Sequence, residues 1–329
     1  MQRDRILVTG GSGFIGTNMV DFLLRQGKYE VLNLDNRFPR NKEHVHLYKP
    51  CDVLDAQRLA KLVKDFSPTH VVHLAARCGL DDSKLDIYAA NMEGVQNMID
   101  ALRNVPTVER VIFTSTLLVA EMGYVPKHDT DYRPTTMYGR SKVEGEKIVR
   151  AQKDLPFAWT IIRPISIWGP WGEEPYINLF RSIAGGWYFH VGSGHFKRSL
   201  GYVENSVYQI HGLLTAPREK VDRKTMYVAD NDPADLYDFA AIVKEITKAR
   251  NIPRLPLPMV KLVARTGDIL KSFGWSRVPL TSFRLKNICT EYIFDMSPIM
   301  SVSGPLPYDL KTGIERTITW LRNAGELKK

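Results

Sequence analysis

Tyr138 and Lys142, four residues apart in Tyr138-Gly-Arg-Ser-Lys142, are the pair with the clearest chemical content in this 329-residue chain. On a helix that spacing puts both side chains on one face, one turn apart. A free tyrosine titrates near ~10 and is a poor base at neutral pH. A nearby ammonium favours the phenolate, so the pair can act as a tuned proton acceptor and donor. The same spacing also occurs on ordinary solvated helix faces, so its meaning depends on what stands around it.

A second group stands near the start. Thr9-Gly10-Gly11-Ser12-Gly13-Phe14-Ile15-Gly16 follows a strand-like run and opens a helical one. Gly10 suits a tight turn, Gly13 a close approach of backbone to a pyrophosphate, and Gly16 close packing of helix on strand, with free N–H groups at the helix start facing the phosphates. Asp35 follows nineteen residues beyond Gly16, at the end of a second strand-like run. An acid there accepts hydrogen bonds from the ribose 2′-hydroxyl of NAD and repels the 2′-phosphate of NADP. Arg37 lies close by, so NAD is favoured without excluding NADP.

The elements that must position these residues follow from the hydrophobic pattern. Strand runs at Arg5–Thr9, Glu30–Asp35, His70–Ala76, Arg110–Thr116 and Ala158–Arg163 alternate with helical segments at Phe14–Arg25, Asp55–Asp65, Tyr88–Arg103 and Met137–Gln152. The last of these carries Tyr138 and Lys142. Such alternation predicts βαβ units and a doubly wound parallel sheet, an α/β fold of the Rossmann type. After Pro164 the texture becomes irregular and rich in Pro, Gly and Trp. This predicts a cofactor domain over 1–165, a smaller α/β substrate domain over 166–202 and 230–329, and a return of 203–229 (Val203–Thr215 and Met226–Ala229) to the first sheet. Met259–Phe273 carries apolar residues at 259, 262, 263, 269, 270 and 273, with Lys261 and Arg265 on the other side. Packing against the substrate domain is the preferred reading of this helix, and a membrane surface is the other.

Composition narrows the classes. Hydrophobic residues make up 44% and charged residues 25%, ordinary for a soluble globular protein. No secretory leader and no apolar run long enough to span a bilayer is evident, and the three separated cysteines form no framework, so a cytoplasmic location is expected. The net charge is +9, and residues 250–329 hold 13 basic against 6 acidic side chains. That excess would attract a nucleotide diphosphate, a nucleic acid or an anionic membrane, or serve only solubility. The basic residues form no block with interleaved aromatics, which disfavours nucleic acid. No histidines cluster at ligand spacing, so no metal is expected.

Taken together, these residues resemble an extended short-chain dehydrogenase/reductase of the NAD-dependent epimerase/dehydratase family, from Arg5 to about Asn205 and again near Tyr292–Leu321. The resemblance implies a cofactor turn made by Gly10, Gly13, Phe14, Ile15 and Gly16, with Asp35 and Asn36 at the ribose. It implies that Asp52 and Val53 meet the adenine, that Leu74, Ala75 and Ala76 run along the cofactor, that Asn91 is a structural and active-site asparagine, and that Pro164 and Ile165 lie beside the nicotinamide. Tyr138 and Lys142 become the catalytic pair. Thr116, with Ser115 as the neighbour most easily confused with it, takes the position of the catalytic hydroxyl. For the substrate, the resemblance points to Ser166, Asn178 and Tyr292, with Arg198 clamping a diphosphate, although Ser166 stands where many sugar-nucleotide enzymes carry Asn.

The implied chemistry has Tyr138 remove a substrate hydroxyl proton while hydride leaves the same carbon for NAD. Dehydratases of the family need an acid just after the catalytic Thr, and here Leu117 and Leu118 stand there. Redox at one carbon remains. The leading expectation is C4 epimerisation of a nucleoside-diphosphate sugar through a 4-keto intermediate, by a homodimer paired through Tyr88–Arg103 and Met137–Gln152. The alternatives are a one-way reductase or dehydrogenase on a sugar-nucleotide or a steroid- or flavonoid-like substrate, and a non-catalytic dinucleotide sensor.

Overall fold

Short β-branched runs, buried on both faces, build the centre of the molecule. The computed structural model describes residues 3–79, 84–275, 278 and 280–327. In chain order come β1 (Arg5–Thr9), α1 (Phe14–Gln26), β2 (Glu30–Asp35), β3 (Tyr48–Pro50), α2 (Ala56–Phe66), β4 (His70–His73), α3 (Glu93–Arg103), β5 (Arg110–Thr114), α4 (Met137–Ala151) and β6 (Ala158–Pro164). They are followed by β7 (Ile167–Trp168), α5 (Tyr176–Ala184), β8 (His190–Val191), β9 (Lys197–Arg198), β10 (Gly201–Tyr202), α6 (Val203–Thr215), α7 (Arg218–Val221) and β11 (Lys224–Val228). The rest are β12 (Ala234–Asp235), α8 (Leu236–Thr247), β13 (Arg254–Leu255), α9 (Leu257–Ser272), α10 (Ser282–Cys289), α11 (Ser297–Ser303) and α12 (Leu310–Asn323).

Seven strands form one sheet in the order β11-β6-β5-β4-β1-β2-β3, and every pairing in it is parallel. This is the expected doubly wound α/β sheet. Alternate residues of one strand serve opposite cores. Ile6 and Val8 pack with α1 and α6, whereas Leu7 packs with α2 and α3. The chain winds outward from β1 to β3, then crosses back to β4 on the other side of β1. The strand order therefore reverses between β1 and β4, which is where such sheets open a crevice for a ligand.

Several boundaries differ from the sequence expectation. β4 stops at His73 rather than Ala76, because the N–H groups of Leu74 and Ala75 turn back to the carbonyl and hydroxyl of Thr9. β5 stops at Thr114, because Thr116 caps a short 3-10 turn over Leu117–Val119. The segment expected as one helix over Tyr88–Arg103 is two, a 3-10 turn to Asn91 followed by α3, with Met92 between them. β11 joins the sheet beside β6. Val203–Thr215, in contrast, is a helix that covers the sheet through Val207, Ile210 and Leu213.

A second core gathers Trp168, Phe180, Tyr202, Phe239, Ile314 and Ile318 from α5, α8, α12 and the short strands. Met259–Phe273 does pack, as preferred, but through a different face from the large apolar residues. The side of α9 that packs is a narrow strip of Val260, Ala264 and Gly267, while Met259, Leu262, Val263, Ile269 and Phe273 are exposed. Small residues let α10 approach closely: a Cβ on Gly267 would lie 1.9 Å from the Leu280 carbonyl oxygen. The larger apolar side chains fall on another side of the helix. Among the described residues, no helix is long and apolar enough to cross a membrane.

Candidate active site

The glycine turn is built as the sequence requires. Gly10 sits at the end of β1 with φ +70, and an added Cβ would lie 2.7 Å from the backbone nitrogen of Ala75 beyond β4. The switch point thus closes on this glycine. A Cβ on Gly16 would lie 2.1 Å from the Gly10 carbonyl oxygen. No side chain caps the start of α1, so the first-turn N–H groups near Phe14 and Ile15 are available to an anion. Asp35, at the end of β2, is buried. Its two oxygens accept from the backbone N–H groups of Ser12 (2.9 Å) and Arg37 (2.9 Å). Asn36 donates to Asp52 at 3.3 Å, and Val53 packs against Gly94 at the start of α3. A guanidinium the sequence reading did not use, Arg40, ties this end to the second unit by donating to the carbonyls of Ser12 and Trp171.

The catalytic candidates lie across the crevice on β5 and α4. Thr136 caps α4, and a Cβ on Gly139 would lie 2.2 Å from the Leu118 carbonyl oxygen. The turn after β5 therefore packs tightly on the first turn of α4. That contact brings Thr116 close enough to the Tyr138 phenol to act on its titration. Tyr88 packs on Tyr138 at a ring separation of 6.1 Å. The Lys142 ammonium donates to the Thr114 carbonyl at 2.8 Å.

The electrostatics depart from the simple spacing argument. Burial pushes the Tyr138 phenol well above its ordinary value; Cys78 adds to this, and the hydrogen bond with Thr116 pulls the other way. Burial also lowers the Lys142 ammonium, against the opposing pull of Cys78 and Glu146. In this structure the ammonium donates to a strand-end carbonyl, and desolvation is the largest influence on Tyr138. His73, behind the pair, is held neutral. Burial and then the Lys142 charge bring it down to about 3, and its Nδ1 meets the Thr9 hydroxyl at 2.8 Å.

Asn91 is a structural tie. Its amide oxygen accepts from the Arg77 N–H (2.8 Å), and its amide nitrogen donates to the Arg77 carbonyl (3.0 Å) and the Ser141 hydroxyl (2.9 Å). It thereby fixes the strand exit that carries Cys78 against the helix that carries Tyr138. One turn beyond Lys142, Glu146 receives the Arg163 guanidinium of β6 at two points, 2.8 and 2.7 Å. Burial would raise Glu146, but the Arg163 bonds win and hold it below its usual range.

The substrate side is only partly as expected. Ser166, with φ 46, has its hydroxyl 2.7 Å from the Tyr292 hydroxyl, so these two come together. Arg198 is buried beneath the Tyr292 ring at 5.4 Å. It donates to the Asn287 and Ile288 carbonyls at the end of α10, and its buried Nε has no hydrogen-bond partner among the described residues. Asn178 is exposed and accepts from Arg181. On that helix it is Tyr176 that reaches Ser166 and Tyr292, because residues two apart on a helix do not share a face. Pro164 is half-buried at the end of β6. The Ile165 side chain, expected beside the nicotinamide, is wholly buried in the sheet core. Besides Tyr176, sequence reasoning missed Cys78, Tyr88 and Glu146. Only the i,i+4 step from Lys142 to Glu146 was open to it, since the others depend on long-range packing.

The profile of the NAD dependent epimerase/dehydratase family matches residues 6–229. The chain belongs to this family. Its relatives include the N-acetyl-alpha-D-glucosaminyl-diphospho-ditrans,octacis-undecaprenol 4-epimerase of Escherichia coli O157:H7, 30% identical over 96% of this chain and 95% of that one. The 3-beta-hydroxysteroid dehydrogenase of Mycolicibacterium neoaurum is 28% identical over 76% of this chain and 72% of that one. The UDP-glucuronic acid 4-epimerase of Bacillus cereus, solved in complex with NAD, shares the fold with a TM-score of 0.75 at 19% identity, covering 97% of this chain and 99% of that one. The residues present fit the family's NAD. The turn at Gly10 and Gly16 admits no side chain, α1 opens uncapped beyond it, and the Asp35 carboxylate is fixed by two backbone N–H groups at the end of β2.

Proposed function

We propose that this chain epimerises C4 of a diphosphate-linked sugar, with Thr116, Tyr138 and Lys142 as the catalytic residues. One observation carries the reading: the Thr116 hydroxyl and the Tyr138 phenol meet beside Lys142, and the side chains that follow Thr116 are two leucines. Tyr138 moves the proton of the C4 hydroxyl, and Thr116 shares the same oxygen as it becomes a carbonyl. Lys142 and Asp35 hold the cofactor's riboses, and the glycine turn holds its pyrophosphate. When bound, NAD supplies the hydride acceptor and donor. Leu117 and Leu118 cannot exchange protons, so the chemistry stays at one carbon. Arg198, with its unpartnered Nε, offers a donor to the sugar's diphosphate, and Ser166, Tyr292 and Tyr176 line the sugar end.

A nucleoside is the first carrier of that diphosphate. A polyprenol is the second, favoured by the relative matched over 95% of its length, whose name specifies a diphospho-undecaprenol sugar. The reading includes a homodimer paired through α3 and α4 and a cytoplasmic location, in keeping with three free cysteines.

The test gives purified protein UDP-sugars and, separately, N-acetylglucosamine diphosphate on a short polyprenol, with no added NAD. The C4 epimer should accumulate to equilibrium, and Tyr138→Phe should lower turnover by roughly 10²–10⁴ while leaving NAD binding intact. Conversion that consumes NADH in step with product, or unchanged turnover in Tyr138→Phe, would overturn the reading.

A further inference from the structure

The apolar side chains of α9 have no place in the site above, and the fold leaves them in water. Met259, Leu262, Val263, Ile269 and Phe273 recur at helical spacing, so they form one stripe. Leu262 is 68% exposed and Phe273 79%, where packing would have buried them. The opposite strip of Val260, Ala264 and Gly267 already satisfies the contact with α10, so among the described residues the stripe is left without a partner. Beyond the helix, Trp275 is 63% exposed and Phe283 on α10 57%. Contiguous exposure of this kind marks an interaction surface.

We infer that the hairpin of α9 and α10 docks on an anionic lipid bilayer, lying in the interface without crossing it. Charge selects this occupant. Lys261 and Arg265 are exposed along one flank of the stripe, and residues 250–329 hold 13 basic against 6 acidic side chains. Of the nearby acids, Asp268 is engaged by the Ser282 backbone N–H at 3.0 Å. A second copy of the chain on this face would bring Lys261 and Arg265 against themselves across a two-fold axis. An anionic leaflet neutralises them while the stripe enters the acyl boundary, the pairing of apolar area and basic charge that stable peripheral binding needs. The face is also joined to the site, since the α10 carbonyls of Asn287 and Ile288 hold Arg198. Docking therefore sets the Arg198–Tyr292 end of the pocket on the element that meets the lipid. The inference stands apart from which sugar is turned over and from whether turnover occurs.

Flotation of the full chain with vesicles tests it. Wild-type protein should rise with phosphatidylcholine vesicles containing about one-third phosphatidylglycerol and stay behind with pure phosphatidylcholine, and added salt should weaken the binding. Leu262→Ser/Phe273→Ser should lose at least about tenfold in vesicle binding while keeping its circular dichroism and its turnover of a water-soluble sugar diphosphate. A readout that needs no folded variant is quenching of wild-type tryptophan fluorescence by brominated lipid, with Trp275→Phe removing the quenched component. Failure of wild type to float with anionic vesicles would overturn the inference. So would undiminished binding by the double variant, or a concentration-dependent dimer that the same substitutions dissolve.

Discussion

Glu146 and Arg163 form a two-point ion pair, at 2.8 and 2.7 Å, between two side chains that are each about 1% exposed. The pair bolts α4 to β6 one turn beyond Lys142, and Tyr132, Tyr227 and the Asp129 carbonyl add hydrogen bonds around it. It sets the height of α4 over the sheet, and so where Tyr138 and Lys142 stand relative to Thr116.

Breaking this pair from one side should therefore cost both stability and turnover. Arg163→Met leaves the buried carboxylate with only Tyr132 and, at 3.6 Å, Arg150 as partners, and a loss of up to about 3–5 kcal/mol is expected from urea unfolding. Glu146→Leu strands the guanidinium and should cost a similar amount. The double variant should recover part of the loss, because no uncompensated charge remains. Additive single and double costs would show that the two residues do not act as a unit.

Cys78 sits beside Tyr138 and should report on the site. It is the exposed thiol of the three, whereas Cys51 is buried, with its thiol pushed up to about 11 by burial, and Cys289 is raised by the same cause. Iodoacetamide should therefore modify Cys78 first, and the added carbamidomethyl group should abolish turnover by crowding the phenol. Cys78→Ser should resist the reagent and keep turnover within about tenfold, because the proton chemistry is assigned to Tyr138. Rapid inactivation of Cys78→Ser by the same reagent would move the sensitive thiol elsewhere.

Asp230, just past β11, should make stability fall as pH rises toward neutrality. Its oxygens accept from Tyr202 N–H (3.0 Å) and Asn205 (2.9 Å) at the start of α6. Burial outweighs these bonds and raises the carboxyl to about 7. A raised folded-state value means that the native state holds this proton more tightly than the unfolded chain. Its contribution is fully present below about pH 4, where unfolded aspartate titrates, and is lost as pH climbs through about 7. The size is at most about 4 kcal/mol, from roughly 1.4 kcal/mol per pH unit. Urea midpoints measured between pH 4 and 8 should slope downward, and the slope should flatten in Asp230→Asn. An unchanged slope in that variant would assign it to other groups.

The sheet, its alternation with helices, the glycine turn, Asp35 and the Tyr138–Lys142 face were legible in the sequence. Each is a local fact: a short, mostly apolar run along a strand buried on both faces, a turn that admits no Cβ, a one-turn spacing on a helix. What tertiary structure decided is what those residues meet. Burial, rather than the neighbouring ammonium, governs Tyr138, because the chain commits Lys142 to the Thr114 carbonyl. Tyr176 replaces Asn178 at the Ser166–Tyr292 cluster through the rotation of one helix. Cys78 reaches Tyr138 from the segment beyond β4, sixty residues away in the chain. The periodicity of α9 showed an apolar stripe but could not say which side would be covered. That depended on a strip of small residues accepting α10, which leaves the large ones in water. Periodicity is set by neighbours along the chain, whereas desolvation and partner choice are set by whatever the fold brings against them.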